Sequence, residues 1–405
     1  MKIGILKETK TPIDNRVALS PAQIKSLQDK YPDAAFVVEP SDIRVFADDE
    51  YRECGIEVNS DMSDCDVLFG IKEAKIETLI PSKHYFFFGH IAKKQPYNRP
   101  LLQAFMQKGI TFSDYEYLVD DKGIRVCAFG WWAGAVGVYY TLRGYGLRTG
   151  MYSLPKPTLK FKLTDLIENL RSAPLPSIRI LLTGNGRVSH GAQHVLDSIG
   201  ACRMTEEEYM SGKEPNTISY AVADIPELVT RTDGGEFSFE HFVANPSLYE
   251  SRFMEWGQHT DVLITCHFWA PGQPVYLTKE GLRDSRLRIK MIGDVTCDIE
   301  GSIKSTIRPC THDDPYYDYN PATGKEEAPF SSASNITVMA VDTCPNALAH
   351  DSSEYFGDML TKHVFEPFLS GNAASSKVIN GATITENGKL TKKFSYLEAY
   401  ARGEE

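Results

Sequence analysis

Residues 178–191 read IRILLTGNGRVSHG, and the order of residue types in this stretch decides the fold class. Ile178 to Thr183 form a largely apolar run suited to a buried strand. Gly184-Asn185-Gly186 then makes a turn, and Arg187 and Val188 open a helix that runs on as VSHGAQHVLDSIG. In a strand–glycine turn–helix unit the backbone can approach a pyrophosphate, which rests on the unpaired N–H groups of the helix N-terminus. The third glycine of the usual G-x-G-x-x-G spacing is Ser189 here, with Gly191 and Ala192 just beyond, so small residues remain where helix and strand pack closely. Glu206 follows Gly184 at roughly the 20-residue separation expected of the acid that holds ribose hydroxyls. A dinucleotide site using Gly184, Gly186, Arg187, Val188 and Glu206 is the resulting expectation. Arg187 suits either the pyrophosphate or a 2′-phosphate, so the cofactor is NAD or NADP.

On the N-terminal side, strand-like and helix-like segments alternate. KIGILKE, AFVVEP, DVLFGIK and HYFFFGH are buried-strand candidates, and Ser20-Pro21-Ala22-Gln23 carries a helix N-cap, a proline at the first helical position and a capping box. Such alternation predicts a mostly parallel α/β sheet. WWAGAVGVYYTLRGYGLR (131–148) reads as a long helix with small residues on one side. On the C-terminal side, residues 205–260 are charged and irregular, which predicts extra helices such as one in FSFEHFVANPSLYESRF. Strands resume with DVLITC and RIKMIGDVTCD, and DSSEYFGDMLTKHVFEPFL is an amphipathic helix. THDDPYYDY reads as a solvated loop, and no metal site is expected.

At 405 residues the chain is longer than one core usually supports, so two domains are expected. Hydrophobic residues at 42% and charged residues at 24% are those of an ordinary globular protein. The net charge of −11 argues against nucleic acid or an anionic membrane as partner, so any anionic substrate must be caught by a few local cations. No apolar run approaches the roughly 18–20 residues that cross a bilayer, and the N-terminus carries no secretion signal; a cytoplasmic location is the expectation. The eight cysteines lie far apart, and several fall in apolar strand-like runs such as RVCAF and VLITC, as buried thiols in a reducing compartment do.

In the first domain, ionisable residues punctuate the ends of apolar runs: Arg16 before VALSP, Lys72 in LFGIKE, His90 in FFFGH and Glu116 in SDYEYL. Taken singly, a lysine or histidine there is more often a satisfied structural group. Strand ends of a parallel sheet converge on one edge, however, and ligands of such folds bind there. Two proton-transfer groups, a carboxylate and an arginine on one edge are what amine–carbonyl chemistry needs. One group must deprotonate an ammonium, another must protonate a leaving hydroxyl, and arginine can grip a carboxylate through two N–H bonds.

The stretches RVALSP, FGIKEAK, YFFFGHIAKKQ, DYEYLVDDKGIRVCAFGWWAG, TGNGRVSHGAQ, DVTCDIEGSI, SEYFGDML and GATITENGKL, in this order, resemble the alanine dehydrogenase and transhydrogenase superfamily. Within it they are most similar to lysine-forming saccharopine dehydrogenase and to the lysine–2-oxoglutarate reductase domain of aminoadipic semialdehyde synthase. The resemblance implies an α/β protein of two Rossmann-like domains with parallel sheets separated by a cleft. The first domain would be discontinuous, spanning 1–132 and 346–405, with the dinucleotide domain at 133–345. It also implies Lys72 and His90 as the acid–base pair, Arg16, Lys93 and Glu116 around the substrate, and Asp298 of DVTCD beside the nicotinamide. The partners implied are an amino acid and a 2-oxo acid; a homo-oligomer stays open. The alternatives are alanine dehydrogenase or another opine-type amino-acid dehydrogenase, and a transhydrogenase-like nucleotide-binding subunit without turnover.

Overall fold

The computed structural model describes residues 1–404. It divides into two compact units, Met1–Phe129 with the chain from Ala349 onward, and Gly130–Leu348.

The first unit is built on strands β1 (Lys2–Ile5), β2 (Ala35–Val38), β3 (Glu57–Val58), β4 (Val67–Phe69), β5 (His84–Phe87) and β6 (Thr111–Asp114), closed by β17 (Thr383–Glu386) and β18 (Lys389–Leu390). Their order is β18-β17-β6-β5-β4-β1-β2-β3, parallel from β6 to β3, with β17 antiparallel on β6. Ile3, Ile5, Leu68, Phe69, Phe86 and Phe87 are fully buried, as strands covered on both faces require. The helix Pro21–Lys30 starts as its residues dictate: Ser20 caps the Gln23 N–H, the Gln23 side chain returns to the Ser20 N–H, and Ile24 and Leu27 face the core. The helix Ala349–Leu360 brings the chain back into this unit. Its Phe356 stacks on Phe129 at 4.3 Å and meets Tyr115 at 5.1 Å, and Ser353 accepts the Val17 N–H. The first unit is therefore discontinuous.

The second unit has β7 (Arg179–Thr183), β8 (Cys202–Arg203), β9 (Ser219–Ala223), β12 (Val262–Thr265), β13 (Met291–Asp294), β14 (Tyr317–Asn320), β15 (Lys325–Glu327) and β16 (Ile336–Met339); β10 (Val229–Arg231) and β11 (Tyr249–Ser251) form a separate antiparallel pair. The main sheet runs β15-β14-β16-β13-β12-β7-β9-β8, parallel from β16 to β8. The third strand, β9, lies beside β7, and the second strand, β8, is pushed to the edge. The helix Gly130–Thr149 packs on the helix Arg187–Ser198 at near-backbone contact: a Cβ on Gly134 would stand 1.8 Å from the Val188 carbonyl oxygen, and one on Gly191 1.8 Å from that of Trp131. The glycine two places beyond its usual position thus serves helix–helix packing. Ser189 is buried and accepts a hydrogen bond from Gln193 Nε2 at 3.0 Å.

Two local readings of the sequence are corrected. The RVCAF segment is a loop rather than a strand, with Cys127, Ala128 and Phe129 buried. THDDPYYDY runs into β14, where Asp318 is buried and accepts from Thr337 Oγ1 at 2.6 Å beside Arg148. The helix expected in FSFEHFVANPSLYESRF is present as Phe239–Ala244, followed by β11.

Candidate active site

The first unit gathers its ionisable residues at the carboxyl edge of four adjacent strands. Past β1 come Glu8, Lys10, Asp14 and Arg16; past β4 come Lys72 and Glu73; past β5 comes His90; past β6 comes Glu116. The ladder between β4 and β5 continues beyond the strands, with Gly70 N–H to the Phe86 carbonyl at 2.9 Å and Phe88 N–H to the Ile71 carbonyl at 3.0 Å. Lys72 and His90 therefore leave the sheet side by side.

His90 is fixed from several directions. Its backbone is left-handed, φ +52°, a conformation that costs a β-carbon residue energy and is held by its surroundings. The Gly89 N–H is held by Asp114 Oδ2 at 3.1 Å, and the His90 carbonyl accepts from Asn98 at 3.2 Å. Its ring Nδ1 lies 3.0 Å from Glu73 Oε1. Glu73 also pairs with Lys10 at 2.6 Å. Burial opposes ionisation of Glu73, but the hydrogen bonds from His90 and Lys10 outweigh it and lower the carboxyl to about 2. An ionised carboxylate only accepts, so Nδ1 carries the proton and Nε2 is the nitrogen available for proton exchange.

Behind Lys72 lies an alternating charge cluster. Glu8 accepts the backbone N–H groups of Ile71 (2.6 Å) and Lys72 (2.9 Å). Its burial, and then the charge of Asp14, push its carboxyl well above the ordinary range. Burial would raise Asp14 too, but the charge and hydrogen bonds of Arg16, with a contribution from Lys72, hold it below the ordinary value. Arg16 is nearly buried, donates through Nε to Asp14 at 2.9 Å, and lies 4.2 Å over the Phe129 ring. The Nε/Nη2 fork expected for a substrate carboxylate is thus engaged by Asp14. At the β6 end, Glu116 Oε1 is paired with Lys93 at 3.1 Å and Arg125 at 3.7 Å. The neighbouring Asp114 is pushed up by burial. Glu8, Asp14, Glu73 and Asp114 were not singled out from the sequence; Asp14, Glu73 and Asp114 stand within two positions of residues that were.

In the second unit the glycine turn opens a cavity of about 930 Å³ lined by Gly184 to Val188, Asp224, His267 and an apolar wall. Gly184 has φ +81°, and a Cβ there would come within 2.7 Å of His267 Cα, so only glycine fits. Among the described residues, nothing stands within 4 Å of a Cβ placed on Gly186, and no side chain caps the twelve-residue helix that it starts. Open space before uncapped N–H groups suits a pyrophosphate, so the residues present fit a dinucleotide. Thr183 Oγ1, His267 and Ser302 form a buried chain (2.6 and 2.7 Å) that braces the turn from below.

Two residues expected at the cofactor lie outside this cavity's wall. Glu206 is exposed at the first position of the short helix Glu206–Met210, after the edge strand β8, and is not part of the cavity wall. The twenty-residue spacing presumes that the second strand lies next to the first, and here it does not. The residue at the equivalent strand end is Asp224, after β9. Asp298 lies in the loop past β13, outside the cavity wall. That loop hangs on buried Asp294, which accepts from Thr265 Oγ1, Thr306 Oγ1 and the Thr296 and Cys297 N–H groups. Among the described residues no His/Cys/Asp/Glu group suits a metal, and no helix is long and apolar enough to cross a membrane.

Residues 4–136 match the family described as alanine dehydrogenase/PNT, N-terminal domain. The chain is 28% identical to alpha-aminoadipic semialdehyde synthase of Arabidopsis thaliana over 98% of its own length and 41% of that protein's. The mitochondrial synthase of Bos taurus is likewise 28% identical, with 98% and 47% covered. The chain thus spans less than half the length of these synthases. The NAD(+), L-lysine-forming saccharopine dehydrogenase of Candida glabrata is 26% identical, with 86% of this chain and 87% of that one covered. Among solved structures, an L-alanine dehydrogenase superposes with TM-score 0.66 at 15% identity, covering 99% of this chain and 100% of that one. A transhydrogenase from Sinorhizobium meliloti gives 0.57 at 15%, covering 96% and 100%. These two likenesses concern the fold.

Proposed function

We propose that this chain, whose residues 4–136 match the alanine dehydrogenase/PNT N-terminal domain family and whose relatives include saccharopine dehydrogenases, is a nicotinamide-dependent oxidoreductase acting on a CH–NH bond. Its reaction is the interconversion of L-lysine and 2-oxoglutarate with saccharopine. The observation that carries the reading is the side-by-side exit of Lys72 and His90 from adjacent parallel strands, with Glu73 holding the imidazole at 3.0 Å.

The lysine ε-ammonium gives a proton to Lys72 or to His90 Nε2, and the free amine attacks the keto carbon of 2-oxoglutarate. The other group donates a proton to the departing hydroxyl, and loss of water leaves a protonated imine. Glu73 stabilises the imidazolium that forms when His90 takes a proton, and fixes its ring. Lys93 meets a substrate carboxylate, restrained by Glu116. Arg16, its fork held by Asp14, adds positive charge at the same edge. Gly184, Gly186, Arg187 and Val188 would hold the dinucleotide, which when bound would supply a hydride to the protonated imine, giving the secondary amine. Asp298 is assigned to the nicotinamide end.

An initial-rate comparison tests the substrate assignment. Lysine with 2-oxoglutarate should oxidise the reduced nicotinamide at least ten-fold faster than ammonia with pyruvate. The reverse preference would favour an alanine dehydrogenase, and no turnover with any amine–oxo acid pair would refute the enzyme reading.

A further inference from the structure

The order of strands in the second unit identifies the residue that selects the cofactor. In dinucleotide-binding sheets the acid that accepts the ribose hydroxyls sits at the carboxyl end of the strand next to the glycine-turn strand. That slot belongs here to β9, not to β8. Thr183 and Ala223 are paired in register, and the Gly184 N–H continues the ladder to the Ala223 carbonyl at 2.7 Å. Asp224, the next residue, therefore stands directly beside the glycine turn, and it lines the cavity. Its Oδ1 caps the Ile225 N–H at 2.9 Å, so the backbone fixes the carboxylate at the cavity wall, where a vicinal diol can reach it.

The rest of the wall agrees. Ile225, Pro226, Phe239, Phe242 and Val243 make an apolar face next to Asp224, suited to a purine ring. Phe239 and Val243 are 63% and 58% exposed, so much of that face is wet and gains from being covered. Among the described residues, Asp224 is the cavity's one carboxylate and Arg187 its one permanent cation. Arg187 is the first residue of the helix after the turn, and its stem packs over Gly130, 3.7 Å from a Cβ built there. It belongs with the pyrophosphate and not with the strand end that carries Asp224.

We propose that the chain takes the unphosphorylated dinucleotide, NAD(H), in preference to NADP(H), and that Asp224 makes the selection. It accepts the hydroxyls of the adenosine ribose and repels a 2′-phosphate. This rests on the reading of the chain as a nicotinamide-dependent enzyme.

Direct titration of the whole chain with NADH and NADPH, followed by ligand fluorescence or calorimetry without substrate, tests it. A hydrogen bond to a charged group contributes about ten- to a hundred-fold in affinity, and like-charge repulsion adds to the discrimination. The wild type should bind NADH at least about ten-fold tighter than NADPH. Asp224→Ser keeps a helix-capping residue at the site, so the local fold should persist. It should weaken NADH about ten-fold or more, strengthen NADPH and collapse the preference. Arg187→Met should weaken both ligands alike. Equal or tighter NADPH binding by the wild type, an unchanged preference in Asp224→Ser, or loss of the preference in Glu206→Gln instead would overturn the assignment. Binding of neither nucleotide would sink the nicotinamide reading itself, and this inference with it.

Discussion

Gly191→Ala is the sharpest test of why the glycine turn is built as it is. The added Cβ would stand 1.8 Å from the Trp131 carbonyl oxygen, 2.7 Å from its carbonyl carbon and 3.2 Å from the Ala135 nitrogen. A carbon and an oxygen need about 3.3 Å, so the helices Gly130–Thr149 and Arg187–Ser198 must part by about 1.5 Å locally. The obstacle is backbone on a helix buried along much of its length, which cannot swing aside as a side chain would. Overpacking of this kind costs about 1–3 kcal/mol. For a unit of this size each kcal/mol lowers the melting temperature by about 2–4 °C, so a fall of about 2–12 °C is expected. The displaced helix carries Gly186, Arg187 and Val188 at its start, so affinity for NADH should fall with stability. Differential scanning fluorimetry with and without NADH reads both. Unchanged melting and unchanged affinity would refute the close-packing account of Gly191.

Gly184→Ala should abolish dinucleotide binding in the same titration, because its φ of +81° and the His267 backbone at 2.7 Å leave no room for a methyl group. Glu73→Gln should lower kcat by about ten-fold or more with NADH affinity unchanged, since His90 loses the carboxylate that orients it. Glu73 also adds a pH signature. Its carboxyl is depressed to about 2, so its contribution to stability is present above the ordinary value of 4.5 and is lost as pH falls from there through 2. The acid-side loss measured by urea unfolding should therefore be shallower in Glu73→Gln. Glu8 has the opposite sign: burial raises it to about 8, so the stability tied to its neutral form is complete below 4.5 and lost as pH rises through 8. The urea midpoint should drop between pH 6 and 9, and less so in Glu8→Gln; a parallel drop in the variant would contradict the shift.

The parts of this protein legible in its sequence are those specified locally. The strand–turn–helix from Ile178 to Ser198 and the capping box at Ser20 are each set by residues within a few positions of one another. So were Lys72 and His90 as strand-end residues, because Val67–Phe69 and His84–Phe87 are plainly apolar runs. What depended on long-range pairing was not legible. The spacing rule pointed to Glu206, but the acid beside the turn is Asp224, since β9 and not β8 pairs with β7. Asp14 looked like an ordinary loop carboxylate in KTPIDNR; its burial with Arg16 under Phe129 depends on chain more than a hundred residues away. Asp318 looked solvated in a run of Asp and Tyr until β16 and Arg148 closed over it.

The acid–base assignment carries the account, and Lys72→Met measures it most directly. Wild type and variant are compared for NADH affinity and for turnover of lysine with 2-oxoglutarate at saturating substrate. Proton transfer by a positioned group contributes about 10²- to 10⁴-fold, so kcat should fall by at least about 100-fold while NADH binds as before. Turnover within a few-fold of wild type, at unchanged NADH affinity, would mean that the amine is activated elsewhere and would contradict the mechanism.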